Sequence, residues 1–184
     1  MTQLLRYPAE ELDCKEWLNR CQKRKKEHPY RYDREETKEI KPQKLIEEVG
    51  RLTKEEAVIV TDVGQHQMWV AQYYPFRFPK QLITSGGLGT MGYGIPAGIG
   101  AKFACPEKTI VVFVGDGGFQ MTNQEFALLN DYGLDVKFIL MNNRSLGMVR
   151  QWQETFHNER RSASVFAKQP NFGQLAEAYG INSV

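Results

Sequence analysis

From residue 41 onward, two patterns of apolar residues alternate along the chain. Short, unbroken and β-branched runs occur in AVIVTDV, QLITSGG, TIVVFVG and VKFILMN, and such runs are typical of strands buried on both faces of a parallel sheet. Around them, PQKLIEEVGRLT, GIPAGIGAKFA and NFGQLAEAYGI have the apolar spacing or the small-residue lining of helices that pack on a sheet. The alternation predicts an α/β fold with a doubly wound parallel sheet.

Residues 1–40 differ in composition, because charged side chains dominate and aliphatic ones are few. The stretch DCKEWLNRCQKRKKEHPYRYDREETKE mixes both signs of charge, which is usual for a solvated surface. It predicts an exposed helix followed by an extended linker, with the break at His28 and Pro29. A basic docking segment is the alternative.

The overall composition is that of an ordinary globular protein. Of the 184 residues, 41% are hydrophobic and 25% charged, and the formal net charge is +2, which favours neither nucleic acid nor a membrane as a partner. The three cysteines are odd in number and have no CxxC spacing, which argues against a disulfide framework or a zinc site. Since the chain has no long apolar run and no signal-peptide pattern, the sequence predicts a soluble, cytoplasmic protein.

The GDGG turn at residues 115–118 follows the apolar run TIVVFV directly. An Asp-Gly pair between apolar runs can form a hairpin, but the residues that follow have the spacing of a helix. Thr122 and Glu125 match a capping box, and Gly133 stands where such a helix would end. The unit is therefore predicted to be a strand, a turn, a helix and a second, parallel strand that ends in two asparagines.

Asp116 and Asn143 stand at the ends of these two strands. Because the carboxyl ends of parallel strands share one edge of a sheet, both residues are predicted to face the same crevice. A carboxylate, an amide oxygen and main-chain carbonyls are ligands that Mg²⁺ takes together with the phosphates of a bound molecule. The glycines allow the main chain to approach those phosphates. The sequence thus predicts a metal that bridges the protein and a diphosphate.

Two further turns are predicted at the same edge. SGGLGTMGYGIPAG contains a formal GxGxxG between a strand and a helix, which alone is a weak sign of dinucleotide binding. A dinucleotide fold has an acidic residue at the end of the next strand. Here the acidic residue at the end of the next strand is Asp116, but it belongs to the GDGG turn described above. Binding of nicotinamide or flavin by this loop is therefore disfavoured. TDVGQHQMW follows the first strand and adds His66, which is either a site residue or a polar core residue.

Together these motifs resemble those of a known family. GDGG followed by NN is similar to the signature of thiamine-diphosphate enzymes. The longer stretches DVGQHQMW, ITSGGLGTMGYGIPAGIGA, GDGGFQMTNQE and LMNNRSLGMVRQWQ resemble the catalytic large subunits of acetolactate synthases, also called acetohydroxyacid synthases. The resemblance covers residues 41–184 and implies a thiamine-diphosphate-binding domain of the PP type, cut short at its carboxyl-terminal end. Residues 1–40 would be the tail of a preceding domain and a charged linker.

The resemblance implies roles for individual residues. Mg²⁺ would be held by the side chains of Asp116 and Asn143 and by the main-chain carbonyl of Ser145. Met91 would be the apolar wedge that keeps the cofactor bent, and Trp152 would shape the acceptor pocket, with an ordinary core aromatic as its alternative. The implied catalytic residues are Met91, Met148 and Trp152. The implied cofactor-binding residues are Val63, Gly64, Gln65, His66, Gly89, Met91, Asp116, Gly117, Gly118, Asn143, Ser145, Leu146, Gly147, Met148 and Val149.

The implied activity is that of an acetolactate synthase, a transferase that uses thiamine diphosphate and Mg²⁺. It condenses pyruvate with pyruvate or 2-oxobutyrate, with loss of CO₂, in branched-chain amino-acid biosynthesis. FAD, a regulatory small subunit and a homodimer or tetramer belong to the full-length enzyme, in which the pyrimidine-binding domain of a second subunit completes the site. Since those domains lie outside this chain, the isolated chain is expected to be inactive. It is also expected to expose an apolar face centred on residues 93–101.

Two other functions stay open. A related thiamine-diphosphate enzyme, such as a pyruvate oxidase or a 2-oxoacid decarboxylase, would share GDGG and NN with this chain. The stretch GMVRQWQ favours acetolactate synthase. The second alternative is a non-catalytic module that only binds the cofactor and its metal.

Overall fold

A computed structural model describes residues 13–34 and 39–184. The chain divides into two compact units, Met1–Glu35 and Glu36–Val184. In the first unit, helix α1 (Lys15–Glu27) has no buried residue, which confirms the predicted exposed helix. The rest of the predicted tail and linker includes residues 1–12 and 35–38, which lie outside the described residues. The role given to residues 1–40 stays a prediction.

The second unit is built on a four-stranded sheet in which every neighbouring pair of strands is parallel. The strand order is β2-β1-β3-β4, and the register pairs Val60 with Ile83 on one side and with Val112 on the other. The strands are β1 (Val58–Thr61), β2 (Leu82–Thr84), β3 (Ile110–Gly115) and β4 (Val136–Met141). The helices are α2 (Pro42–Leu52), α3 (Gln65–Tyr73), α4 (Gly94–Ala104), α5 (Asp116–Thr122), α6 (Phe126–Asp131), α7 (Gly147–Phe156) and α8 (Phe172–Ala178).

Helices cover both faces of the sheet, so the predicted doubly wound α/β architecture is confirmed. Along β3, Val112 belongs to the core that contains residues of α4, α5 and α6, whereas Val111 and Phe113 belong to the opposite core, beside residues of α2 and α3. This alternation follows from the two-residue period of a strand. Both central strands are buried, as predicted for strands with two covered faces. β2 and most of β4 are only half-buried, because they form the two edges of the sheet.

Helix α4 lies close to the sheet because small residues form its inner side. A Cβ atom on Gly98 would lie 2.4 Å from Cγ2 of Val112, which is closer than two carbons can approach. Ile95 and Ile99 of the same helix are buried. The expectation of an exposed apolar face centred on residues 93–101 is therefore wrong, since the apolar side of this helix packs on the sheet of its own chain.

The segment after β3 differs from the prediction in detail. GDGG joins the end of β3 at Gly115 to the first turn of helix α5, which begins at Asp116 and ends at Thr122. A 3₁₀ turn (Asn123–Glu125) separates α5 from α6. The predicted capping box is wrong, because the Thr122 hydroxyl makes no cap hydrogen bond and donates instead to the carbonyl of Gly92 at 2.9 Å. Gly133 follows α6 with a φ of 60°, as predicted for a glycine at a helix end.

The parallel arrangement brings the ends of three strands to one edge of the sheet. β1 is followed by DVG and α3, β3 by GDGG and α5, and β4 by NN and a loop that enters α7. Among residues 13–34 and 39–184, no helix has the length and apolarity needed to cross a membrane.

Candidate functional site

A cavity of about 820 Å³ opens at the carboxyl ends of β1, β3 and β4. Every residue that the sequence predicted for the site lines this cavity. They are Val63, Gly64, Gln65, His66, Gly89, Met91, Asp116, Gly117, Gly118, Asn143, Ser145, Leu146, Gly147, Met148, Val149 and Trp152. The predicted turns are thus brought together, whereas the roles of the individual residues in binding or catalysis stay predictions.

Other lining residues were missed by the sequence reasoning. Most are apolar residues of helices and strands whose patterns indicate only burial in a core. They are Ile40, Pro42, Leu45, Trp69, Gly115, Leu140, Met141 and Asn142. Asn142 could have been found from the NN pair, since it is the first of the two asparagines.

Asp116 lies at the start of α5 with its side chain buried, at 1% exposure. The Gln169 amide donates a hydrogen bond to Oδ2, and the N–H of Gly117 donates to Oδ1 at 3.2 Å. Burial raises the pKa of the Asp116 carboxyl above its ordinary value, while these hydrogen bonds act in the opposite direction. Among the described residues, no lysine, arginine or histidine forms an ion pair with this carboxylate.

The loop from Asn142 to Ser145 is folded by its own asparagine side chains. The Asn143 Oδ1 accepts hydrogen bonds from the main-chain N–H of Ser145 at 3.0 Å and from its hydroxyl at 3.1 Å. Asn142 Oδ1 accepts from the N–H of Arg144 at 3.1 Å, and Arg144 has a φ of 56°. Such bonds are typical of asparagine in turns. The pair NN therefore builds the turn that carries Ser145 to the cavity.

A later segment of the chain holds this loop in place. The N–H of Leu146 donates to the carbonyl of Ser164 at 2.9 Å, and the N–H of Phe166 donates to the carbonyl of Arg144 at 2.9 Å. The same segment continues to Gln169, which reaches Asp116. Sequence reasoning missed this support, because the segment has no apolar pattern of its own.

His66 lies in the first turn of α3 and is 5% exposed. Burial lowers the pKa of its imidazole to about 4, although the nearby Asp62 acts in the opposite direction. The buried Nε2 atom has no hydrogen-bond partner within the described part of the chain. A buried ring nitrogen without a partner costs free energy, so Nε2 has a hydrogen-bonding capacity that the described residues leave unused.

Helix α7 lies close to the cavity, because its first residue, Gly147, has no side chain. A Cβ atom on Gly147 would lie 2.3 Å from Oε1 of Gln65 and 2.6 Å from Nδ2 of Asn143. The Gln65 amide also donates to Oε1 of Gln151 at 3.0 Å. Gln65 therefore connects the start of α3 with the NN loop and with α7.

Apolar side chains also line the cavity. Met91 comes from the loop before α4, and Met148, Val149 and Trp152 come from the first turns of α7. Trp152 is 61% exposed, and its ring lies 5.1 Å from that of Phe156 between centroids. The alternative that Trp152 is an ordinary core aromatic is therefore wrong.

The donor atoms at this edge fit the implied Mg²⁺. Within the described residues, no group of three or more His, Cys, Asp or Glu side chains gathers that could hold a metal ion. Asp116, Asn143 and Ser145 instead line the same cavity, and among their atoms are one carboxylate, one amide oxygen and one main-chain carbonyl that a cation could take as ligands. Such an oxygen set suits Mg²⁺ when phosphate and water oxygens complete its coordination. A buried carboxylate such as that of Asp116, which has no ion-pair partner among the described residues, is the kind of group that a cation stabilises.

Comparison with known proteins agrees with this geometry. The profile of the family described as "Thiamine pyrophosphate enzyme, C-terminal TPP binding domain" matches residues 62–184. The chain is similar to the acetolactate synthase large subunit of Lactococcus lactis, with 58% identity over 184 residues that make up 100% of this chain and 32% of the relative. It is also similar to the acetolactate synthase isozyme 3 large subunit of Escherichia coli, with 46% identity over 173 residues, which are 94% of this chain and 30% of the relative.

A eukaryotic relative shows the same relation of lengths. The mitochondrial acetolactate synthase of Schizosaccharomyces pombe is 42% identical over 173 residues, which are 92% of this chain and 26% of the relative. The chain thus spans less than a third of the length of the curated relatives it matches. Because the family profile covers β2, β3, β4, the turns and α7 around the cavity, which is more than half of the chain, the chain belongs to the thiamine pyrophosphate enzymes, of which it contains the C-terminal TPP binding domain.

Proposed function

We propose that this chain is the part of an acetolactate synthase large subunit that binds the diphosphate end of thiamine diphosphate, together with Mg²⁺. The observation that carries the proposal is the convergence of Asp116, Asn143 and Ser145 on one cavity. The relatives that align with 100% and 94% of this chain are both named as large subunits of acetolactate synthase. These names support the synthase over other enzymes of the family. The stretch GMVRQWQ, which begins α7, supports the same choice.

The polar residues of the cavity would hold the metal and the diphosphate. Asp116, Asn143 and the carbonyl of Ser145 would bind Mg²⁺ through oxygen. His66, which lines the cavity, would lie along the diphosphate. Gln65 would keep the NN loop and α7 in fixed positions beside these residues.

The apolar residues of the cavity would surround the reacting part of the cofactor. When bound, thiamine diphosphate supplies a carbon nucleophile that adds to a 2-oxoacid, allows CO₂ to leave and passes the remaining two-carbon unit to a second 2-oxoacid. Met91 would hold the cofactor in its bent shape. Met148, Val149 and Trp152 would line the space for pyruvate or 2-oxobutyrate, and their apolar surface would exclude water around the reacting atoms.

The rest of the enzyme is also part of the proposal. The relatives are more than three times as long as this chain, and the additional length would contain the pyrimidine-binding domain and the domain that binds FAD. Two large subunits would form each site, in a homodimer or tetramer with a regulatory small subunit. The enzyme would act in the cytoplasm in branched-chain amino-acid biosynthesis.

This function can be tested by placing the chain in a related enzyme. In the Lactococcus lactis acetolactate synthase large subunit, the segment that matches this chain with 58% identity is replaced by this chain, and the product is called the exchanged large subunit. We expect the exchanged large subunit to form acetolactate from pyruvate. A pyruvate oxidase would instead oxidise pyruvate, and a decarboxylase would release acetaldehyde. A folded exchanged large subunit that binds thiamine diphosphate but forms no acetolactate would contradict the proposal.

A further inference from the structure

Asp62 follows β1 and is fully buried, at 0% exposure. Its carboxylate accepts hydrogen bonds from three main-chain N–H groups. Oδ1 accepts from Val63 at 2.8 Å and from Gly92 at 3.1 Å, and Oδ2 accepts from Gly94 at 2.7 Å. Val63 is the next residue, but Gly92 belongs to the loop between β2 and α4, and Gly94 is the first residue of α4. One side chain therefore ties the end of β1 to a loop that lies thirty positions further along the chain.

The space around this carboxylate is filled on two sides. A Cβ atom on Gly94 would lie 2.9 Å from Cβ of Asp62, and a Cβ atom on Gly118 would lie 2.2 Å from its Oδ1. Asp62 thus lies between the loop before α4 and the first turn of α5. A carboxylate that accepts three N–H groups in a packed interior has little freedom to move.

The residue that this arrangement holds is Met91. The N–H of Gly92 belongs to the peptide group that directly follows Met91, and Asp62 accepts it. The carbonyl of Gly92 accepts the Thr122 hydroxyl at 2.9 Å. On the other side of Met91, the N–H of Thr90 donates to the Ser85 hydroxyl at 3.0 Å. The main chain at Met91 is therefore held from both directions, and its side chain lines the cavity.

We propose that Asp62 is a positioning residue, whose carboxylate fixes the loop at Gly92 and Gly94 and so sets where Met91 enters the cavity. The inference rests on the proposed function only in that Met91 meets the cofactor there. Asp62 itself does not line the cavity, so it acts through the main chain of the loop.

Asp62→Asn tests the proposal with little change of volume. An asparagine keeps one acceptor oxygen, but it turns an N–H₂ group toward the N–H of Gly92 or of Gly94. Thr61→Val is the matched control, because Thr61 is also 0% exposed, directly precedes Asp62 at the end of β1, and would lose the hydrogen bond between its hydroxyl and that of Thr84 at 2.7 Å. Both variants thus remove a buried hydrogen bond, but only one of these bonds belongs to the loop that carries Met91.

Two measurements on the 184-residue chain report the loop directly. In spectra of ¹³C-methyl methionine, Asp62→Asn is expected to shift the Met91 methyl resonance, whereas Thr61→Val leaves it in place. Hydrogen exchange at the amides of Gly92 and Gly94 is expected to accelerate about tenfold or more in Asp62→Asn alone. Neither measurement needs a cofactor, so a failure of the proposed function would not alter them.

The parent chain provides a test that does not depend on a variant folding. Although Gly92 and Gly94 lie in a loop and at its junction with α4, their amides are expected to exchange as slowly as those of the central strands, since a buried carboxylate holds them. Fast exchange at either glycine in the parent would overturn the proposal. A Met91 resonance that is unchanged in Asp62→Asn, or changed equally in Thr61→Val, would also overturn it.

Discussion

At the scale of single residues, the cavity is lined by two buried titratable groups whose pKa values burial shifts toward the neutral form. Burial raises the pKa of Asp116 and lowers that of His66. A cation beside Asp116 would stabilise the carboxylate and lower its pKa. A neutral His66 leaves the buried Nε2 as a hydrogen-bonding group that carries no charge. Both features suit a site that takes up a metal ion and a diphosphate together.

The shifted pKa of His66 predicts how stability depends on pH. The folded pKa is about 4 and the ordinary value is 6.5, so the unfolded chain binds a proton first as the pH falls. The contribution of the buried neutral ring is complete above pH 6.5 and is lost progressively as the pH falls toward 4. Between pH 7.5 and 4.5 the parent should therefore lose roughly 2–3 kcal/mol more of its free energy of unfolding than His66→Gln does.

Urea denaturation of both proteins at the two pH values measures this difference. The exposed His157 and His28 are retained in both proteins and so cancel in the comparison. If the parent and His66→Gln lose the same free energy of unfolding over this range, His66 is not buried in its neutral form.

At the scale of elements, the apolar runs predicted the four strands and their parallel direction, because runs of valine and isoleucine are characteristic of the buried strands of parallel sheets. Details that depend on distant residues escaped prediction. The Thr122 hydroxyl matches a capping box locally, but Gly92, far away in sequence, is its actual acceptor. Gln169 reaches Asp116 from a segment without a regular pattern. The site turns could be predicted, because strand ends are visible in the sequence, whereas their supporting contacts could not.

Two glycines of α4 provide a matched test of helix packing. A Cβ atom on Gly98 would lie 2.4 Å from Cγ2 of Val112, whereas one on Gly100 would meet nothing within 4 Å. Gly98→Ala is therefore expected to lower the free energy of unfolding by about 1–3 kcal/mol through overpacking. Gly100→Ala is expected to raise it by about 0.5–1 kcal/mol, since alanine favours a helix over glycine. Chemical denaturation that ranks the two variants in the reverse order would contradict the packing of α4.

Helix α7 is expected to determine the choice of the second substrate. Trp152 lines the cavity, and Phe156 on the same helix contacts Trp152 without lining the cavity. In the exchanged large subunit, Trp152→Leu is expected to change the preference for 2-oxobutyrate over pyruvate by about 1–3 kcal/mol, the scale of a small apolar contact. Phe156→Leu, the control, is expected to change it less. A product ratio equal to that of the parent in Trp152→Leu would remove Trp152 from the acceptor pocket.

At the scale of the whole molecule, the chain covers less than a third of its relatives' length, and Trp152, which lines the cavity, is exposed. On the proposed function, this chain alone would have no group to protonate the cofactor's pyrimidine ring and could not enclose the cofactor on its pyrimidine side. Those tasks would fall to the remainder of the large subunit and to a second subunit.

The 184-residue chain alone is therefore expected to fold and to form no acetolactate from pyruvate, even with saturating thiamine diphosphate, Mg²⁺ and FAD. The exchanged large subunit, assayed in parallel, is the positive control. Formation of acetolactate by the chain alone at the turnover of an ordinary enzyme, on the order of 10 per second, would show that the site is complete without a second domain.

The central claim is that Asp116 holds the metal that binds the cofactor, and calorimetry on the exchanged large subunit tests it most directly. Asp116→Ala removes the carboxylate from the predicted metal ligands, whereas Asp135→Ala removes an exposed carboxylate paired with Lys137, away from the cavity. We expect Asp116→Ala to weaken Mg²⁺-dependent binding of thiamine diphosphate by about tenfold or more, since carboxylate charge dominates the affinity of such sites, and Asp135→Ala to bind like the parent. Equal affinity in all three proteins would contradict the assignment of the metal to Asp116.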